Sequence, residues 1–427
     1  MPDSAPIAPV LSAGVAAVEE RAAVIDVRDE ARVAVPPVVA ARTRLDSVDL
    51  LRGLVMVIMA LDHVRDFFHH DALLFDPTDL SRTNGALFLT RWVTHFCAPV
   101  FVFLAGTGAF LSTMRGKTKG ELSRFLLTRG LWLVLLELTV VRLGWTFNLD
   151  YTFNVGQVIW AIGWSMVALS VLIYLPLWAI TMFGVFMIAV HNAFDPFKAA
   201  TAGAMSGVWA AFHTGELTET YGGIRFFPMY PLIPWIGVMA TGYSFGQIFR
   251  LEAEKRRRVL LYLGLALTLL FVLIRATNLY GDPRPWSVQG NALWTFFSFI
   301  NCQKYPPSLL FLLMTLGPAI ASLAFFERVN LKPSALAAPF VVFGRVPLFY
   351  YVLHLFVIHG LAVGFAFIKY GSKLQDAFQT GRPPEDYGYS LPIVYLVWIG
   401  IILALYPICR WFAGVKRRRK EAWLSYI

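Results

Sequence analysis

Charge is scarce in this sequence. Only 15% of its residues are Asp, Glu, Lys or Arg, against 57% hydrophobic, and the mean hydropathy is +0.60. That balance excludes an ordinary soluble globular domain. Cysteine is scarcer still. Cys97, Cys302 and Cys409 are too few and too scattered for a disulfide framework or a zinc site. Cys97 and Cys409 fall in apolar runs and read as small core residues. The first 42 residues lack the order of a signal peptide, namely a basic start, an apolar stretch and a cleavage site. They read as a disordered cytoplasmic extension with a short helix near Ala16–Arg32. No internal repeat argues for an inverted-repeat transporter.

What the chain has instead is apolar runs of membrane-spanning length. A span needs about 20 mostly apolar residues. Such runs centre near Val57, Val102, Leu135, Met166, Phe183, Gly237, Leu267, Leu313, Leu353 and Ile402. The expected fold is an all-α integral membrane protein with about ten transmembrane helices in a single bundle over residues 43–415, followed by a basic tail at 416–427. The first span is expected to start near Ser47 as N-cap, with Asp49 in its first turn.

The net charge of +10 invites a nucleic-acid partner, but its distribution argues against one. Basic residues cluster at the ends of apolar runs: Arg42 and Arg44; Arg115, Lys117, Lys119 and Arg124; Lys255 to Arg258; Arg328 and Lys332; Lys416 to Lys420. Nearly every second loop is basic, as cytoplasmic loops are. Both termini are then expected inside, with loops 67–90, 192–226, 278–305 and 369–390 outside. The clusters would fix orientation and touch anionic lipid rather than nucleic acid.

The first apolar run is the most informative. It carries Asp49 and Arg52 at one end and Asp62, His63, Arg65 and Asp66 at the other. Ionisable groups in a membrane-length helix are costly, so they mark a functional site. At about 100° per residue, Arg52 and His63 fall within roughly 20° of one face and roughly 16 Å apart along the axis. Asp49, Arg52, Met56, Met59, His63 and Asp66 form one stripe. Asp66 could hold an imidazole nitrogen of His63, Asp62 could pair with Arg65, and His70 would share the face if the helix continued. Farther along, Arg129, Glu137 and Arg142 are expected to pair or to line a cavity, and His354 to face it while His359 lies at the interface. Arg345 and His354, about 180° apart in phase, are not expected to share a face. Glycines 106, 108, 237, 242 and 246 read as sites of close helix packing. No metal is expected, because the histidines lack the i, i+4 spacing of a helical zinc site.

The run Val48-Asp49-Leu50-Leu51-Arg52-Gly53-Leu54, with His63 eleven residues after the arginine, resembles the first helix of the transmembrane acyltransferases. Two branches share this opening, the acyltransferase-3 family and the heparan-α-glucosaminide N-acetyltransferase family. Phe96 to Gly106, Tyr230-Pro231-Leu232-Ile233-Pro234-Trp235 and Gly344 to His354 look more like the second branch, in its bacterial members. The resemblance extends over about residues 44–412.

It implies an acyl transfer from acetyl-CoA or another acyl-CoA to a carbohydrate amine or hydroxyl, in a bacterial plasma membrane. His63 would be general base or acyl carrier, with Asp66 and His70 beside it. Asp49, Arg52, Asp62, His95 and His354 would contact acyl-CoA or acceptor. Arg52 suits phosphate because a guanidinium matches its oxygens bidentately. In the heparan branch an asparagine aligns with His63 and the catalytic histidine follows some eleven residues on. The ungapped equivalent is Leu74, so that role passes only loosely to His69 or His70. In the acyltransferase-3 branch the base matches His63 directly. Where the heparan branch has Gln-Arg on its fourth helix, this chain has Trp160-Ala161, which leaves the acceptor open. The expected partners are the lipid bilayer, acyl-CoA and a carbohydrate acceptor, with a homodimer allowed. A transporter using the polar stripe as a substrate or proton path is the alternative, and a non-catalytic membrane scaffold a third reading.

Overall fold

The computed structural model describes residues 46–427 other than 73, 220–222, 329–336, 372–383, 385 and 420. The chain divides into Met1–Arg44 and Leu45–Ile427, and the second unit is described here. The expected N-terminal helix, Lys332 and most of loop 369–390 lie outside the described residues.

All ten apolar centres lie in helices. These are α1 (Asp46–Phe68), α2 (Gly85–Met114), α3 (Lys119–Leu136), α4 (Val158–Leu172), α5 (Leu177–Val190), α6 (Leu232–Phe245), α7 (Ala253–Thr277), α9 (Leu309–Arg328), α11 (Pro347–Tyr370) and α12 (Leu391–Arg418). Two short helices of nine and eight residues come in addition, α8 (Ala292–Ile300) and α10 (Ala338–Arg345), besides a single helical turn at Ser206–Trp209. A π-helical turn at Glu137–Val141 and a last turn, Arg142–Thr146, prolong α3. Among the described residues, six helices are long and apolar enough to cross a membrane: α2, α5 with its 3-10 extension to Phe194, α7, α9, α11 and α12. The protein is an integral membrane protein. α4 and α6, at 15 and 14 residues, are short for a span, and α1 carries the ionisable cluster.

Three details differ from expectation. Ser47 is the second residue of α1, not its cap. The loop after α1 ends at Asn84, whose side chain caps α2 by accepting from Leu87 N–H. α12 continues to Arg418, beyond residue 415, and a 3-10 turn at Ala422–Ser425 follows.

Burial separates inner from outer helices. α9 is 72% buried over its most apolar window and α7 only 22%. On α7, Tyr262, Leu265, Leu269 and Leu273 are all exposed at helical spacing, a face for lipid rather than water. The helix pairs that approach closest do so over glycine. A Cβ on Gly53 of α1 would stand 2.5 Å from the Phe340 carbonyl carbon, and one on Gly344 of α10 2.8 Å from that of Asp49. A Cβ on Gly106 would run into the Met239 carbonyl of α6, and one on Gly242 into that of Phe103 on α2. Small residues thus let backbones touch where lipid supplies no hydrophobic drive.

The segments between helices are tied down. Strands β1 (Phe153–Val155), β2 (Thr218–Glu219) and β3 (Arg225–Phe227) form a small sheet in the order β1-β3-β2. In the connection from α7 to α9, the Arg275 guanidinium donates to the carbonyls of Arg284, Ser298, Phe299 and Asn301 at 2.8–3.2 Å. Asp282 accepts from Gln303 N–H and Ser308 Oγ at 2.9 and 2.7 Å. His191 Nε2 bonds the Pro307 carbonyl at 2.8 Å, and Asn192 Oδ1 accepts from Leu309 N–H at 2.8 Å. The turn 303–308 is therefore fixed from two sides.

Candidate active site

The stripe on α1 lines two cavities in series. The first, about 320 Å³, takes Arg52, Met56 and Met59 from α1, with Gly108, Ser112, Arg129, Arg345 and Lys416 among its other walls. The second, about 340 Å³, takes Met59, Asp62, His63 and Asp66, with Arg91, Thr94, Trp145, Tyr230, Lys304 and Tyr305 around them. Met59, Phe101, Val158 and Tyr351 line both and form the neck between them. A third cavity, about 360 Å³, opens beyond the second and shares Asp66 and Arg91 with it; residues 74–77 close its far side.

His63 is buried and lines the second cavity. Its Nδ1 lies 2.8 Å from Nε2 of His354 on α11, and His354 Nδ1 lies 2.8 Å from the Tyr350 carbonyl. The carbonyl fixes the protons. It only accepts, so His354 Nδ1 carries hydrogen and its Nε2 must accept from His63 Nδ1–H. That leaves the lone pair of neutral His63 on Nε2, so Nε2 is the basic atom. The two imidazoles are nearly parallel, 11° between planes with centroids 4.9 Å apart, as an in-plane hydrogen bond between them requires, and the Tyr350 ring lies parallel to His354 at 4.9 Å.

Asp66 does not serve His63. Its carboxylate pairs with Arg65, because the guanidinium next to it competes better than a neutral imidazole. Asp62 is equally committed. It receives Arg91 Nη1 on both oxygens at 2.8 and 2.6 Å and Thr94 Oγ1 at 2.9 Å, and Arg65 lies 2.9 Å away. The expected Asp62–Arg65 pair is present, inside a larger buried cluster of Arg65, Asp62 and Arg91. A buried charge held this way is a structural commitment, costly to break. Asp62 lines the cavity with its acceptor positions already used.

The other expected site residues separate. Arg52 lines the first cavity, braced by Asp49 Oδ1 at 3.2 Å and the Gly344 carbonyl at 3.2 Å. Asp49 is buried outside the cavity wall and also faces Arg345 Nε at 3.7 Å. It is thus paired with two of the cations of that cavity. His95 is 2% exposed and packs edge-on to Phe311 at 5.4 Å, away from the cavity wall. His354 stands behind His63 rather than facing the cavity. α1 stops at Phe68, so His70 leaves the His63 face; it is exposed and 3.5 Å from Asp71. His69 Nδ1 accepts from Asp71 N–H at 3.1 Å, and burial pushes its imidazole down to about 4. His69, His70 and Asp71 bring ligand atoms within 4.8 Å of one another, but they lie on one turn outside these cavities.

Arg129, Glu137 and Arg142 do not pair. Arg129 faces the first cavity, Glu137 accepts from Trp160 N–H at 3.1 Å, and Arg142 holds the carbonyls of Asn148, Asp150 and Phe153. Arg345 lines the first cavity while His354 backs His63, and the helix breaks between them at Val346, between α10 and α11. His359 is half-buried, with Nδ1 at 2.9 Å from the Gly144 carbonyl. Gly108 is not a packing glycine: a Cβ there meets nothing within 4 Å, and it borders the first cavity.

Sequence reasoning missed Arg91, Lys304 and the Arg345–Lys416 side of the first cavity. An arginine inside the apolar run of α2 was a usable signal for Arg91. Lys304, a single lysine in a loop, gave none.

Residues 44–277 match the sequence family described as heparan-alpha-glucosaminide N-acetyltransferase, catalytic, which covers more than half of the chain. The chain belongs to this family. No curated protein matches it. The enzyme is accordingly a transferase of the membrane, and family membership assigns it an acetyltransferase domain. The matched region contains α1 to α7, including Arg52, Asp62, His63, Arg91 and Arg129. It stops before Lys304, Arg345 and Tyr351, which close the cavities from the other side, and before His354, which backs His63.

Proposed function

We propose that the enzyme carries an acetyl or other acyl group from cytoplasmic acyl-CoA to a carbohydrate amine or hydroxyl at the outer face. The observation that carries this reading is the pair of cavities joined along one face of α1, with four cations at one end and a histidine relay at the other. Arg52, Arg129, Arg345 and Lys416 would meet the phosphates of acyl-CoA, which guanidinium groups match bidentately. A pantetheine arm suits the apolar neck at Met59, Phe101, Val158 and Tyr351. The thioester would then reach His63.

The chemistry follows from the tautomer. An acceptor amine or hydroxyl attacks the thioester carbonyl carbon while His63 Nε2 takes its proton. The imidazolium so formed keeps its Nδ1–H on His354, which holds the ring in line. Collapse of the tetrahedral intermediate breaks the carbon–sulfur bond, and the leaving thiolate takes the proton from Nε2. General-base catalysis of this kind contributes about 10²–10⁴ in rate. The acceptor would enter through the third cavity, past Asp66 and Arg91.

Ten spans with both termini cytoplasmic, in a bacterial plasma membrane, put the four-cation cavity on the side where acyl-CoA is made. The alternation of basic and non-basic loops supports this orientation. A cysteine introduced at 74–77 should then be labelled from outside and one at 255–258 should not; the reverse would overturn the direction of transfer. The deciding measurement for function is thermal stabilisation of the detergent-solubilised protein by acetyl-CoA. It should be present in the wild type and much reduced in Arg52→Ala. No stabilisation of the wild type at millimolar acetyl-CoA would refute acyl-CoA as donor.

A further inference from the structure

Among the described residues that line the His63 cavity, Lys304 is the one charged group without a direct ion-pair partner. Of its four charged residues, Asp62 is taken by Arg91 and by Arg65 behind the wall, and Asp66 by Arg65. Lys304 is 8% exposed and lines the same cavity. Among the described residues its ammonium has no ion-pair or hydrogen-bond partner, and lies only near the Tyr305 ring, 5.2 Å from its centroid. It is within electrostatic reach of both Asp62 and His63. A buried cation without a counter-ion is costly, and a cost borne at a site calls for an anion that arrives there.

Two anions could. One is a permanent negative group on the acceptor; the other is the oxyanion that forms on the thioester carbonyl during transfer. The way in favours the second. The third cavity carries Arg65 and Arg91 against Asp66 and Asp76, so it has no excess positive charge to draw an anion inward. The cation without a paired carboxylate is Lys304, in the wall that also holds the base. The placement is also rigid. Asp282, His191 and Asn192 fix the 303–308 turn on both sides of the lysine, and preorganised charge is what stabilises a transition state without reorganisation.

We propose that Lys304 is a catalytic residue whose ammonium stabilises the oxyanion of the tetrahedral intermediate, on the far side of the reacting carbon from His63. This rests on the acyl-transfer reading above. As the acceptor's nitrogen or oxygen bonds to the carbonyl carbon, the carbonyl electron pair moves to oxygen and Lys304 donates a hydrogen bond to it. The pair then returns, the carbon–sulfur bond breaks, and the thiolate leaves with the proton from His63 Nε2. No oxidant or further reactant is needed.

The test is Lys304→Met, assayed by release of CoA thiol from acetyl-CoA with glucosamine and with glucosamine 6-phosphate as acceptors. The expected result is a fall in kcat of about 10²–10³, the usual loss for one oxyanion donor. KM for acetyl-CoA and for both acceptors should stay within threefold, and Lys304→Arg should restore part of kcat. The thermal midpoint of Lys304→Met should equal or exceed that of the wild type, since an unpaired cation has been removed. A kcat within threefold of wild type overturns the proposal. So does a wild-type preference for the phosphorylated acceptor that vanishes in Lys304→Met at unchanged kcat, which would make the lysine an acceptor-anion site. A large drop in midpoint overturns it as well, by revealing a structural role. If the wild type releases no CoA with either acceptor, the acyl-transfer reading itself falls; if it does and Lys304→Met matches it, only the role of Lys304 falls.

Discussion

Replacing Gly53 by alanine should damage both stability and the first cavity, and the size of the effect can be worked from the crossing of α1 and α10. The added Cβ would stand 2.5 Å from the Phe340 carbonyl carbon and 3.0 Å from Gly344 N. Nonbonded carbons rest at about 3.5–4.0 Å, so the two helices must part by roughly 1 Å or more. The obstacle is backbone on both sides and cannot rotate away. Overpacking of this sort costs about 1–3 kcal/mol. Parting the helices also stretches the Arg52 bond to the Gly344 carbonyl, now 3.2 Å, and a charged hydrogen bond contributes about 1.5–3 kcal/mol. The better helix propensity of alanine returns about 1 kcal/mol. A net loss of about 1.5–5 kcal/mol follows, with Arg52 displaced from the cavity wall. The control is Gly108→Ala, the same substitution in a wall of the same cavity, where the Cβ meets nothing and stability should hold or rise. Thermal unfolding in detergent, with and without acetyl-CoA, measures both. Equal midpoints and equal acetyl-CoA shifts for the two variants would refute this account of the Arg52-Gly53 pair.

Three further outcomes are expected. His354→Phe leaves His63 Nδ1–H without an acceptor and should lower kcat by about tenfold to a hundredfold, less than full loss of a general base, while acetyl-CoA still stabilises the protein; His354→Gln, which can accept, should recover part of it, and no difference between the two variants would argue against the relay. Asp62→Asn strips Arg91 and Arg65 of their shared counter-charge in a buried site, at about 3–5 kcal/mol, so its thermal midpoint should fall sharply; a wild-type midpoint would show the cluster to be dispensable. Gly108→Leu projects into the first cavity without a clash, so the protein should fold normally and its stabilisation by acetyl-CoA should shrink; an undiminished shift would place the donor elsewhere.

The linear order of residues determined a good deal here. Ten apolar runs became ten helices, because in an apolar surround a backbone must satisfy its own hydrogen bonds and the helix does so locally. The α1 stripe was legible for the same reason: helical phase is a local property, so the shared face of Arg52, Met59 and His63 needed nothing beyond their spacing. The family resemblance was carried by those same residues. What phase could not decide was the partner of each group. Asp66 was the nearest carboxylate to His63 in sequence, yet Arg65 holds it, and His63 turns to His354, which comes 291 residues later. Spacing marked Asp49 and Asp62 as site residues but not their ion-pair partners, which are Arg52 and Arg345 for the first and Arg65 and Arg91 for the second. His70 left the stripe because α1 ends two residues before it. The cation ring of the first cavity is drawn from α1, α3, α10 and α12, and Lys304 reaches the second cavity from a turn fixed by residues on other segments. Those assignments are made by which helices pack together. Packing is settled by close approach at glycines and by the pairing of buried charges, between residues that the sequence keeps far apart.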